Sequence, residues 1–172
     1  MKKTLFTLML MLVSAMVVNA QSLIGKEWCT MIPDEDGNDI AFEMTFENNG
    51  SCGIEVIAVE EMKESGAKMI IDVQLDIPGT YTLNGKDLKL NLDKGKAKVD
   101  IDVDIEGMDA QTKTMMKQMI KPELEKGKNE VKEELLKVIP VMDNMRIVTL
   151  ENNRLVLADS SGKEITFYAK KD

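Results

Sequence analysis

The sequence predicts a mainly β domain, an antiparallel up-and-down barrel of about 8–9 strands with a helical insertion before the last three strands. First, apolar residues occupy every second position through Met69, Ile71, Val73, Leu75 and Ile77, through Leu88, Leu90 and Leu92, and through Val99, Ile101, Val103 and Ile105. A side-chain period of two belongs to strands with one wet face and one buried face. Second, the runs are separated by short turns carrying Gly, Asn84-Gly85 and Gly95 among them, and such turns join antiparallel neighbours. Third, the period becomes helical only between Asp109 and Ile139. Many hairpin-linked strands lose their exposed edges by closing into a barrel.

The chain has 172 residues and begins Met1-Lys2-Lys3, followed by an apolar run from Leu5 to Val18 and then Asn19-Ala20-Gln21. A basic start, a short apolar core and small residues before the scissile bond make a secretory signal peptide. The run is shorter than the ~20 residues of a membrane span. Cleavage is expected after Ala20, leaving residues 21–172 as one exported domain, periplasmic or secreted, with enough chain for a core. The residue immediately after that site is Gln21 and not Cys, so no lipid anchor is expected.

Leu23 to Ile32 reads as the first strand, with Trp28, Thr30 and Ile32 on one face. Pro33 to Asn38 is a turn by composition. Its alternating Asp and Asn residues resemble a calcium loop only superficially, because Gly37 comes fourth where an EF-hand needs its Gly sixth. Ile40, Phe42, Met44 and Phe46 make the second strand, and Cys52, Ile54, Val56 and Ala58 one face of the third. Glu64-Ser65-Gly66 leads into the long fourth strand, with a bend expected at Pro78-Gly79. Facing residues of an antiparallel pair lie on one side of the sheet. That rule sets Ile32 opposite Ile40, Phe46 opposite Cys52, Leu83 opposite Leu88 and Leu92 opposite Ala97, each pair leaving a short loop with a Gly. Ile40, Phe42, Met44, Phe46, Val73, Leu75, Leu90, Ile101 and Val103 should then face inward.

Met115, Met116, Met119 and Ile120 recur at helical spacing, as do Val131, Leu135, Val138 and Ile139. Asp109 suits the N-cap, Pro122 either kinks this helix or starts a second, and Pro140 ends the segment. The helix is expected to pack on one barrel end, with Met119 in contact. Met145 to Leu150, Arg154 to Ala158 and Lys163 to Ala169 are the last strands.

Without Lys2 and Lys3, 20 basic residues face 30 acidic ones, a net charge of −10. Such a surface repels nucleic acid and suits a basic partner or simple solubility. There is no His, which removes His bases, His-assisted nucleophiles and His-ligated metals. The serines at 22, 51, 65, 160 and 161 lie mainly in turns with no base in sight. No catalytic residue, metal ligand or cofactor is assigned. Export permits a disulfide, but the register puts Cys29 opposite Glu43 and Cys52 opposite Phe46. Their Cα atoms are then about 14 Å apart, so the two should be unbonded.

Gly25-Lys26-Glu27-Trp28, Phe46-Glu47-Asn48-Asn49-Gly50-Ser51 and the stretch from Gly79 to Leu90 resemble the small secreted lipocalin-like proteins of Bacteroidetes-type bacteria. The closing strands, Asn153 to Leu157 and Ile165-Thr166-Phe167, are similar too. The spacing Gly25-x-x-Trp28 departs from the Gly-x-Trp of lipocalins proper, and the helix precedes the last strands where theirs follows the barrel. The resemblance implies a binding protein in which Trp28 closes the barrel floor.

Two functional readings remain open. In one, a small apolar molecule sits in the barrel against Trp28, Phe42, Met44, Phe46, Val73, Leu75 and Tyr81, with Met115 and Met119 as a pliable lid. In the other, the domain is a non-catalytic envelope or secreted interaction module that uses its acidic surface. Asp100, Asp102 and Asp104 share one strand face at ~6.6 Å steps, too widely spaced for one ion yet suited to a basic partner.

Overall fold

The structure is a computed structural model that describes residues 23–33, 39–64 and 67–170. The expected signal peptide, the turn at 34–38 and the Ser65-Gly66 turn lie outside the described residues. Nine strands follow in order: β1 (Glu27–Pro33), β2 (Asp39–Phe46), β3 (Ser51–Glu64), β4 (Ala67–Asn84), β5 (Asp87–Leu92), β6 (Lys98–Glu106), β7 (Asn144–Leu150), β8 (Arg154–Ala158) and β9 (Glu164–Ala169). One helix, α1 (Ala110–Val138), stands between β6 and β7. Eight strands close a ring, β1-β2-β3-β4-β5-β7-β8-β9 and back to β1, all antiparallel. The ninth, β6, lies outside the ring on β4.

Turn chemistry sets the hairpins. At β2–β3 the Asn49 side chain accepts from the Ser51 N–H at 2.8 Å, and Gly50 takes φ +83, which a side chain disfavours. Ile32↔Ile40, Cys29↔Glu43, Phe46↔Cys52 and Leu83↔Leu88 pair as the sequence predicts. Cys29 and Cys52 are both free thiols.

The expected β5–β6 hairpin, Leu92 opposite Ala97, does not form. Asp93 accepts from the Lys96 N–H through both its carbonyl, at 2.9 Å, and its side chain, at 3.3 Å, winding Lys94–Lys96 into a 3-10 turn. The turn steps the chain sideways without reversing it. Consequently β5 and β6 run in the same direction along one side of β4, β5 against Gly79 to Asn84 and β6 against Lys68 to Asp76. The handover falls at Pro78-Gly79. A Cβ on Gly79 would meet the Asn91 carbonyl oxygen at 2.8 Å and Leu92 at 3.1 Å, so this close approach requires Gly. At 18 residues β4 is roughly 60 Å long, and with β3 and β6 it extends the sheet beyond the barrel.

One cluster of buried side chains lies in the interior. Trp28, Phe42, Met44, Phe46, Leu75, Ile77, Leu155 and Phe167 are buried in one cluster. Phe42 meets Phe167 at 6.1 Å between centroids, and Phe46 meets Tyr81 edge-on at 5.1 Å. Trp28 donates its indole N–H to the Leu23 carbonyl at 2.9 Å, which satisfies its one polar atom. Of the residues expected inward, Ile40, Phe42, Met44, Phe46, Leu75 and Leu90 are buried in that cluster and Val73 is half-buried against it, whereas Ile101 and Val103 lie on β6 outside the ring, the first half-buried and the second buried apart from the cluster.

α1 is one helix, with Pro122 inside it. Asp109 caps it, accepting from the Gln111 and Thr112 N–H groups at 3.0 Å each. Leu135 and Ile139 join the barrel core, so the C-terminal end packs as expected. The N-terminal part instead runs along β6, with Lys117 beside Asp104 at 3.4 Å and Lys128 beside Asp100 at 3.6 Å. Its inward stripe is Met116, Ile120, Leu124 and Val131. Met115 and Met119 point away, 57% and 74% exposed, against the expected contact. Three methionines and Ile120 at helical spacing admit two stripes about 100° apart, and only the tertiary partner selects one.

Candidate functional site

Alternation sends every second residue of β2, β3, β4 and β6 outward, and the ladder stacks those residues into rows. One row is Glu43↔Glu55↔Asp76↔Lys98. The next sets Gln74 opposite Asp100, then Asp72 opposite Asp102, then Ile70 between Glu61 and Asp104. The Asp100-Asp102-Asp104 face read from the sequence is thus one margin of a larger acidic sheet. Glu43, Glu55, Asp72 and Asp76 were missed as its members. Their alternation was visible, but their place depends on β6 pairing with β4.

Like charges directly opposite cost stability, roughly 0.2–1 kcal/mol for each cross-strand pair. Glu55 shows the strain. Burial, then the neighbouring Asp76 and Glu43 carboxylates, raise its pKa, while Gln74 donates its amide N–H to the Glu55 carboxylate. At the barrel end Lys170 partly offsets the repulsion, 3.0 Å from Glu43 and 3.3 Å from Glu27, and these contacts hold its ammonium above the ordinary lysine range. Beside them burial, then Glu43, push the Cys29 thiol up to about 11, so it stays a neutral thiol. A shallow cleft of about 450 Å³ opens on this face, walled by Glu27, Glu43, Glu55, Asp76, Lys96 and Lys98 around Gly53. Among the described residues no three acidic, Cys or His groups converge on a metal position.

The ligand residues expected inside the barrel divide in two. Trp28, Phe42, Met44, Phe46 and Leu75 come together in the core, with Val73 and Tyr81 half-buried against it. Met115 and Met119 do not join them. Tyr81 turns its hydroxyl outward, donating to the Glu47 carbonyl at 2.9 Å. The cleft around Gly53 reaches the core cluster at Cys52, Ile54 and Ile77, whereas the cleft between β6 and α1 shares no residue with it.

Fold and site together define a closed antiparallel barrel whose outer sheet carries rows of acidic residues opposed across neighbouring strands. Comparison with family models finds no family that matches the chain, and comparison with curated proteins finds no match. No described helix is long and apolar enough to cross a membrane.

Proposed function

We propose that the chain is an exported, non-catalytic binding protein of the lipocalin-like type, meeting a basic protein partner through the acidic outer sheet of β2, β3, β4 and β6. The observation that carries this reading is the direct opposition of acids across neighbouring strands, Asp72 with Asp102 and Glu55 with both Glu43 and Asp76. Charge for solubility alone works as well when dispersed and mixed in sign. Stacking it in register has a stability cost that a cationic partner relieves. The second reading, an apolar molecule inside the barrel, draws support from the closed barrel itself. It has less, because Phe42, Phe46, Phe167 and Trp28 occupy the space it needs.

A lysine-rich peptide titrated at low and physiological salt tests the proposal. Saturable binding that weakens with salt is expected. It should weaken further in Asp72→Asn/Asp102→Asn but not in Glu123→Gln/Glu130→Gln, which removes the same charge from exposed positions of α1. Equal loss in both double variants would reduce the effect to net charge and sink the proposal.

A further inference from the structure

The outer margin of the acidic sheet is the second edge of β6, and its backbone has a defined polarity. The Tyr81 N–H donates to the Gly50 carbonyl at 2.9 Å, so odd residues of β4 bond toward β3. The Asp93 N–H donates to the Pro78 carbonyl at 2.8 Å, so even residues bond to the other side, where β5 and β6 lie. With Asp72 opposite Asp102, the even residues of β6 complete that ladder. Val99, Ile101, Val103 and Ile105 therefore turn their N–H and C=O groups to the edge away from β4.

Two of those N–H groups are occupied from within. Asp100 accepts from the Ile101 N–H at 3.1 Å and Asp104 from the Ile105 N–H at 2.9 Å. Lys128 and Lys117 of α1 hold the same two carboxylates. Between these fastened points, no hydrogen bond among the described residues reaches the Val103 N–H. There a cleft of about 340 Å³ separates β6 from α1, lined by Asp100, Ile101, Asp102 and Val103 on one side and by Ile120, Leu124, Lys117, Lys121 and Glu125 on the other. A strand edge that pairs with no other described strand, with a cleft of mixed apolar and charged side chains beside it, is the geometry that captures an extended peptide as an additional strand.

We infer that β6 takes an extended segment of a partner protein by strand addition, and that this segment alternates apolar residues with Lys or Arg. The inference rests on the acidic-sheet reading above and gives its partner a location and a pattern. Charge selects the occupant. A second copy of β6 pairing antiparallel about Asp102 would set Asp102 against Asp102 and Asp100 against Asp104, an arrangement like-charge repulsion disfavours. A basic alternating segment sets a cation beside Asp102, the one of the three that no lysine of α1 holds among the described residues, and turns its apolar residues toward Ile120 and Leu124.

The probe is a seven-residue peptide alternating lysine and valine, compared with the same peptide N-methylated on alternate amides and with a glutamate-valine version. Calorimetry gives affinity, and backbone NMR follows the amides of Val99, Ile101, Val103 and Ile105. The plain peptide is expected to bind saturably and to protect the Val103 amide from exchange. N-methylation, which removes main-chain donors and leaves every charge, should weaken binding at least roughly tenfold, the worth of one or two net hydrogen bonds. Val103→Pro should do the same, since its N–H makes no ladder bond to β4 and Pro is tolerated at such edge positions. Should that variant fail to fold, the N-methylated peptide decides alone. Equal binding of plain and N-methylated peptides overturns strand addition and leaves the acidic-sheet reading standing. Failure of every lysine peptide overturns both. Concentration-dependent protection of these amides without peptide would place a second copy on the edge and overturn the inference, as would equal binding of the glutamate-valine peptide.

Discussion

Replacing Phe42 by Ala tests whether the barrel core is a packed interior or a disguised pocket. Phe42 is 2% exposed, faces Phe167, and lies opposite Thr30 and Val56 on the flanking strands. Removing the ring gives up roughly 100–150 Å² of buried apolar surface, about 3 kcal/mol at ~25 cal/mol/Å². The lost ring contact and the residual cavity bring the total to about 3–5 kcal/mol. For a domain of roughly 150 residues this lowers Tm by about 6–20 °C, at ~2–4 °C per kcal/mol. Calorimetry with and without benzene is the assay, because apolar cavities of roughly 150 Å³ stay dry and accept it. The variant should melt early and regain part of the loss with benzene, while the wild type shows no saturable binding. A Tm within about 3 °C of wild type, or saturable binding by the wild type itself, would refute the packed-core argument and restore the apolar-ligand reading.

Two further outcomes follow from particular side chains. Met119→Asp should change stability by no more than about 0.5 kcal/mol because the side chain stands in water. Leu135→Asp, in the core at the other end of α1, should cost several kcal/mol as an unpaired buried charge; chemical denaturation compares them, and a large loss at Met119 would mean that α1 is rotated from its observed stripe. Glu55 has a folded pKa above its unfolded one, so the native state resists its ionisation. The resulting penalty is absent below the unfolded value of ~4.3 and grows as pH rises through the folded value. Glu55→Gln should therefore stabilise by roughly 0.2–1 kcal/mol at pH 7 and by nothing near pH 3; a gain persisting in acid would assign the effect to packing.

The strands were legible because period two and turn residues are local properties. Phe46↔Cys52 and Leu83↔Leu88 follow from one hairpin each, with no knowledge of the rest of the chain. The Asp93 to Lys96 stretch misled because a Gly-bearing turn of that length either reverses a strand or steps it sideways. The choice depends on whether β4 offers more ladder beyond Pro78, a fact stored about twenty residues upstream. The acidic site shares this fate. Asp100 to Asp104 stood out as a run, whereas Glu43, Glu55, Asp72 and Asp76 join it only through three strand pairings. Met119 failed for a third reason, since a helix pattern states its period but not which stripe meets a neighbour.

Ring closure rests on two short seams. Between β5 and β7 the ladder runs only from Asp87↔Arg146 to Lys89↔Asn144, and between β1 and β9 only over Trp28↔Ala169 and Cys29↔Tyr168. Every other junction of the ring joins strands adjacent in sequence. Bringing β5 to β7 must close a loop containing all of β6 and α1, and the β1–β9 seam closes almost the whole described chain. The order of folding follows from that cost. The sheet of β1 to β5 and the meander of β7 to β9 can each assemble from near neighbours, and the expected order is that the two join last, so that variants weakening the two seams should slow folding in stopped-flow refolding more than variants within either sheet. Until they zip, Trp28 on β1 and Leu88 on β5 lie at open edges, and the most aggregation-prone moment in the life of the protein is the one just before its barrel becomes a circle.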